Sequence, residues 1–244
     1  MGVRSGENNW QNRGNGGKGL EGGKQIGCKI QEPMNIISYN ETKKESIDMR
    51  SCQALWGDKE IGWEMQPAAN TAGGLLCIWS EKAFKLQSSI IGSGFIVLVD
   101  QWLKEAQQVH IVNIYSSCDI QGKRSLREAI KQLKTSQNGG LWCILGDFNN
   151  IRNNAERLGS CHRGQGGNSI EEFNEWIDEL EVQEAPWLGR KFTWYRPNGS
   201  AKSKLDRFLL SPDWMTKWPN TIQSTLDRNF SDHCPVILKS KVTD

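Results

Sequence analysis

The chain has 244 residues, of which 37% are hydrophobic and 24% charged, and a net charge of +2. That is enough apolar content for one large domain, or a domain plus a tail, and it excludes a protein that coats nucleic acid through charge alone. Seven cysteines, widely spaced and with no C-x-x-C pair, argue against a disulfide framework or a zinc ribbon, and no run of about 18 apolar residues offers a membrane span.

Residues 1–33 are polar and rich in glycine, with 14–23 reading GNGGKGLEGG. Such a segment cannot build a packed face, so a disordered tail is expected there and a folded domain over 34–244. Residues 34–39 (MNIISY) form a short strand-like run, followed by a polar stretch with a weak helical pattern over 42–55. Strands are expected at 73–79 (GGLLCIW), 95–100 (FIVLVD) and 109–115 (VHIVNIY), the last for its β-branched residues. Leu126, Ile130 and Leu133 lie at helical spacing within 123–134, and Phe173, Trp176, Ile177 and Leu180 share one helical face within 170–181. Between them, 141–145 (LWCIL) reads as a central strand. Further strand-like pieces fall at 191–195, 205–210 and 235–238. Strands that are wholly apolar and alternate with helices suggest sheets covered by helices, in an α/β or α+β sandwich. Cys77 and Cys143 read as small core residues, His110 as a structural histidine and His162 as a solvated loop residue.

Chemistry is concentrated at a few strand ends. In CILGDFNN (143–150), alternation puts Asp147 and Asn149 on one side and Phe148 toward the core. Asp147 is suited to orienting or deprotonating a water, and Asn149 to donating its amide to a phosphoryl oxygen. The same residues also read as a polar strand exit with Asx-turn chemistry. In SDHCPV (231–236), Asp232 is suited to a hard cation, and His233 to moving a proton or contacting a phosphate. Asp206, in KLDRFLLS, is an acid inside an apolar strand and needs a partner. His233 is one candidate for it, and Arg207 or Lys204 are others. Tyr115 ends VNIY, and Asn40 and Glu41 follow the first strand.

Taken in order, a strand ending in Asn, E-T-K, V-N-I-Y, G-D-F-N, L-D-R-F-L-L-S and S-D-H-x-P resemble the endonuclease/exonuclease/phosphatase superfamily over residues 34–238. Residues 192–214 (FTWYRPNGSAKSKLDRFLLSPDW) and GGLLCIW resemble the endonuclease domain of plant non-LTR retrotransposons in particular. The resemblance implies a four-layer α/β sandwich of two mixed sheets flanked by helices. It implies phosphodiester hydrolysis with Mg²⁺ or Mn²⁺, DNA as partner, and no small organic cofactor. Glu41 becomes a metal ligand, Asp232 a metal ligand or an aid to the leaving group, and Asn40 a metal or phosphate contact. Tyr115 becomes the phosphate contact, Asp147 the residue that positions water, Asn149 the transition-state donor, and Asp206 the residue that orients His233. Trp194, Arg196, Lys202 and Lys204 lie near the Asp206 motif and are suited to gripping DNA, although a solvated basic turn reads the same way. DNA in the genome implies a nuclear location for an otherwise intracellular protein, yet no basic targeting cluster stands out.

The chain departs from the family at one point. Asn40 and Glu41 are adjacent, whereas the family places them at the ends of two strands joined through a helix. An early strand–helix unit is thus missing, and neighbours on a regular strand face opposite ways. A decayed element, a mis-spliced gene and a variant that re-forms the site with an irregular turn all fit this departure; the first two are favoured, and the expectation is an exposed strand edge, a misplaced Glu41 and weak or no nuclease activity. A phosphatase of small phosphoesters and a non-catalytic nucleic-acid-binding fragment are the competing readings.

Overall fold

A computed structural model describes residues 25–31, 34–68, 73–102, 107–137, 139–159, 167–228 and 231–240. In chain order the strands are β1 (Gln25–Ile30), β2 (Ile36–Asn40), β3 (Ile61–Gln66), β4 (Leu75–Ser80), β5 (Leu86–Gly92), β6 (Phe95–Trp102), β7 (Gln107–Tyr115), β8 (Leu141–Asp147), β9 (Arg157–Gly159), β10 (Gln183–Glu184), β11 (Trp194–Tyr195), β12 (Ala201–Ser203), β13 (Asp206–Leu210), β14 (Thr221–Thr225) and β15 (Val236–Ser240). The helices are α1 (Met49–Trp56), α2 (Ile120–Ser136), α3 (Gly167–Glu179) and α4 (Pro212–Lys217).

Local chemistry sets the helix ends. Asp48 caps α1 by accepting from the Ser51 amide, and Gly57 closes it at φ 92. Asp119 caps α2 through the Gly122 amide, and Pro212 opens α4 at a position that needs no N–H. The strands pair into two six-stranded mixed sheets, β14-β15-β1-β2-β4-β3 and β10-β13-β8-β7-β6-β5, with a small third sheet β11-β12-β9 beside them.

Three apolar clusters make four layers. The inner faces of the two sheets meet through Cys28, Ile36, Leu75, Cys77, Ile111, Cys143, Phe208 and Val236, among others. The outer face of the second sheet packs on α2 and α3 through Val112, Ile144, Ile130, Phe173 and Trp176. The outer face of the first sheet packs on α1 through Ile37, Tyr39, Ile78 and Cys52. This is the expected sandwich, and Cys77, Cys143 and His110 are fully buried. Cys161 and His162 lie outside the described residues.

Two expectations change. Residues 25–30, assigned by composition to the tail, form β1 in the middle of the first sheet, parallel to β15 and antiparallel to β2. Among the described residues the domain therefore begins at Gln25, not at residue 34; residues 1–24 lie outside them. The missing early unit is also smaller than expected. The connection over 31–35 has no room for a crossover helix, but the place beside β2 is filled by β1. Since β2 pairs with β1 on one side and β4 on the other, it presents no open edge.

Candidate active site

Strand register builds half of the site directly. β7 and β8 run parallel with Tyr115 opposite Asp147, and β8 and β13 run antiparallel with Asp147 opposite Asp206. Residues opposite one another share a face, so the three polar side chains line up across three adjacent strands at one end of the second sheet. Gly146 allows the approach: at φ 127, a Cβ there would stand 2.0 Å from the Ile114 carbonyl oxygen.

His233 reaches this row from the opposite sheet, just ahead of β15. Its Nδ1 is 2.7 Å from Asp206 Oδ2, and its Nε2 is 3.9 Å from Asp147 Oδ2. A carboxylate can only accept, so Nδ1 carries the proton and Nε2 faces Asp147. Lys204 and Arg207, the other candidates for Asp206, are engaged elsewhere. Asp147, Asp206 and His233 are all buried. Burial and the facing Asp206 carboxylate raise the Asp147 pKa, which His233 and the Asn149 amide partly offset. Burial alone would lower the His233 pKa, but Asp206, Asp147 and Asp232 together raise it. Two acids and an imidazole therefore sit where a proton can be taken up and passed on. Thr193 was not recognised in the sequence. Its buried hydroxyl accepts from the amides of Leu205 and Asp206 and so sets the start of β13.

Beyond β8 the chain turns sharply. Asn149 adopts φ 47, its amide donates to Asp147 Oδ1 at 2.8 Å, and its Nδ2 donates to the Ser116 carbonyl at 2.7 Å. The expected pair of Asp147 and Asn149 is thus drawn together by a turn and not by strand alternation.

Glu41 arrives by an irregular route. Regular alternation would send it to the outer face with Tyr39, but φ 52 breaks the strand, and its carboxylate accepts from the Tyr115 hydroxyl. Thr42 and Lys43 then bond to the carbonyls of Gly74 and Gly73, which fixes the turn. The expected displacement of Glu41 is therefore not what the structure has. The Tyr115 phenol stays protonated, its pKa raised by burial and by Glu41. Asn40 is fully buried on the inner face of β2 against Gly27, and both of its amide atoms lack a hydrogen-bond partner among the described residues.

The proposed DNA contacts separate. Trp194 pairs with Ser203, and its Nε1 donates to Asp232 Oδ2 at 2.8 Å. Tyr195 pairs with Lys202 and so lies on the other face of the β11–β12 hairpin, where Arg228 stands 5.5 Å from its ring. Lys202 lies over Phe192, and half-buried Arg196 sits at the hairpin turn. Lys204 departs from its expected role. It is buried, ion-paired to Glu184 and, at 3.3 Å, to Glu156, and Arg207 bonds the same two acids. Burial would raise the Glu184 pKa, but Arg207 and Lys204 bring it down to about 2. Lys204 is part of an internal charge cluster, which leaves Arg196 and Lys202 as the accessible basic groups of the set.

The donors fit a hard cation: carboxylate oxygens from Asp147 and Asp206 beside a single imidazole. Asp147, Asp206 and His233 offer ligand atoms within 4.8 Å of one another, and Asp206 Oδ1 is buried without a hydrogen-bond partner among the described residues. Of the expected metal ligands, Glu41 is bonded to Tyr115, whose register partner is Asp147, and Asp232 directly precedes His233 and is bonded to Trp194.

A sequence search finds no match among curated proteins. Solved structures do match in fold. An AP endonuclease from Leishmania major is 15% identical with a TM-score of 0.63, covering 82% of this chain and 76% of that one. The endonuclease domain of TRAS1, a telomere-specific non-LTR retrotransposon, is 14% identical with a TM-score of 0.56, covering 78% and 84%. An endonuclease/exonuclease/phosphatase protein from Bacteroides vulgatus is 12% identical with a TM-score of 0.53, covering 79% and 82%. The family model for these enzymes matches residues 49–233, which take in Tyr115, Asp147, Asp206 and His233. The chain belongs to the endonuclease/exonuclease/phosphatase family, whose fold is that of a phosphoester hydrolase.

Proposed function

We propose that the protein is a divalent-metal-dependent endonuclease that nicks DNA, of the retrotransposon type. The observation that carries this reading is the row Tyr115–Asp147–Asp206, set by strand register and closed by His233 from the other sheet. Asp147 takes the proton of the attacking water. Asp206 orients His233, which contacts the phosphate or moves a proton. Asn149 donates to the phosphoryl oxygen as charge gathers there. Glu41, Asp232 and Asn40 would hold Mg²⁺ or Mn²⁺, which would neutralise charge on the phosphate. Arg196 and Lys202 grip the backbone. Support for DNA as substrate, over small phosphoesters, comes from the retrotransposon-like stretch over 192–214.

The test is nicking of supercoiled plasmid by the purified protein in Mg²⁺ and in EDTA, beside Asp147→Ala. Nicking is expected to require metal and to fall about 10²–10⁴-fold in the variant. Cleavage that survives EDTA, or an unimpaired Asp147→Ala variant, would overturn the reading. Folded protein that binds DNA equally with and without Mg²⁺ and cuts nothing is a non-catalytic binder. Release of phosphate from small phosphoesters without nicking identifies a phosphatase.

A further inference from the structure

Lys123 has no part in the roles above. It lies in the opening turns of α2, and its side chain is almost wholly buried, at 1% exposure. Two effects oppose a cation there. Burial strips its hydration and, with Arg127 nearby, pulls its pKa down to about 8. The start of a helix also presents unpaired N–H groups, the positive end of the helix dipole.

The contacts of the ammonium account for its position. Nζ donates to the main-chain oxygen of Asn149 at 2.7 Å and lies 3.4 Å from Oδ1 of Asn150, and the Asp147 carboxylate offsets its charge. Asn149 stands at φ 47, in the sparsely populated left-handed region. In that conformation its amide folds onto Asp147, its side chain onto Ser116, and its carbonyl is taken by Lys123.

We propose that Lys123 is a positioning residue, whose buried ammonium locks the 147–149 turn in which the Asn149 main-chain amide holds the Asp147 carboxylate and the Asn149 carboxamide is held on the Ser116 carbonyl. As a role in catalysis this rests on the hydrolytic reading of the site; as a role in holding the turn it does not. The turn has other anchors. The Phe148 amide donates to the Leu205 carbonyl, the Asn150 side chain bonds to Ser169, and Arg207 bonds to the Asn150 carbonyl. Loss of the ammonium therefore loosens one turn and leaves the fold in place.

The experiment pairs hydrogen exchange with kinetics in Lys123→Met, which keeps the apolar stem, and Lys123→Gln, which keeps a donor without the charge. In Lys123→Met the Asn149 amide is expected to exchange about tenfold faster, while strand amides of β8 and β13 exchange as before. Nicking is expected to lose about 100-fold in kcat with KM for DNA nearly unchanged. Lys123→Gln is expected to regain part of the exchange protection. Unchanged exchange at Asn149, or equal acceleration of all amides, would overturn the proposal. So would a loss confined to KM. If Lys123→Met does not fold, Lys123→Gln carries the same comparison. If the unaltered protein does not nick DNA, the exchange result still decides the role of Lys123, and only the hydrolytic reading fails.

Discussion

The two sides of the site are built in opposite ways. The side on the second sheet comes from register. Tyr115, Asp147 and Asp206 are neighbours because three strands pair without interruption, and moving any one would shift a whole strand. The side on the first sheet hangs on one residue in an uncommon conformation, Glu41 at φ 52, held by the Tyr115 hydroxyl and two main-chain bonds to Gly73 and Gly74. The side built by register is thus insensitive to local change, whereas the position of Glu41 is set by a single turn.

The largest expected effect is on the register-built side. Asp206→Asn should lower nicking about 10³–10⁴-fold, by the reasoning that a buried carboxylate fixes the tautomer of its histidine. Adding His233→Ala to that variant should cost little more, because the two residues act as a unit. Independent, multiplying losses would show that Asp206 and His233 do not form the working pair.

A smaller effect is expected where the two sides touch. Tyr115→Phe removes the donor to Glu41, and outer partners of metal ligands typically matter by about 10–100-fold in metal affinity or activity. A shift of the Mg²⁺ requirement to higher concentration, with kcat restored at saturating metal, would assign Tyr115 to the Glu41 arm. A loss that excess Mg²⁺ does not repair would assign it to the phosphate.

The smallest effect separates the pH dependence of the fold from that of the site. His110 is fully buried and stacked on Trp142 with centroids 4.1 Å apart, and burial brings its pKa down to about 4. An unfolded histidine titrates near 6.5, so between these values the unfolded chain binds a proton that the folded chain does not. The contribution of this residue is complete above about pH 6.5 and is lost as pH falls toward 4. The loss should be on the order of 2 kcal/mol, or roughly 4–8 °C in Tm, and should disappear in His110→Phe. An equal acid-induced fall in that variant would place the sensitivity in another group.

Much of this architecture is legible in the sequence because it depends on local pattern. The apolar runs at β4, β6, β7, β8 and β13 and the helical spacing in α2 and α3 mark the sandwich, and the polar residues at strand ends mark the site. What escaped needs information from distant parts of the chain. QIGCKI is too short and too close to a Gly-rich stretch to read as a strand, and it becomes one only between β15 and β2. The turn at Glu41 gives no signal, because left-handed backbone is expected of Gly, Asn or Asp and seldom of Glu. Lys204 and Lys123 look like solvated lysines, since nothing local tells that Glu184 or the Asn149 carbonyl waits in the interior. Trp194 is an aromatic suited to base stacking, and its bond to Asp232 crosses from β11 to the segment ahead of β15.

The parallel pairing of β1 with β15 joins the first described strand to the last. Nearly the whole described chain must be laid down and gathered before that ladder can form, the kind of long-range closure that makes folding slow. His233 sits just ahead of β15, so the residue that closes the row on the second sheet comes from the last described stretch of the chain to be synthesised. A nascent chain that already holds the β8 and β13 segments can therefore carry Asp147 and Asp206 before it carries the histidine that pairs with them.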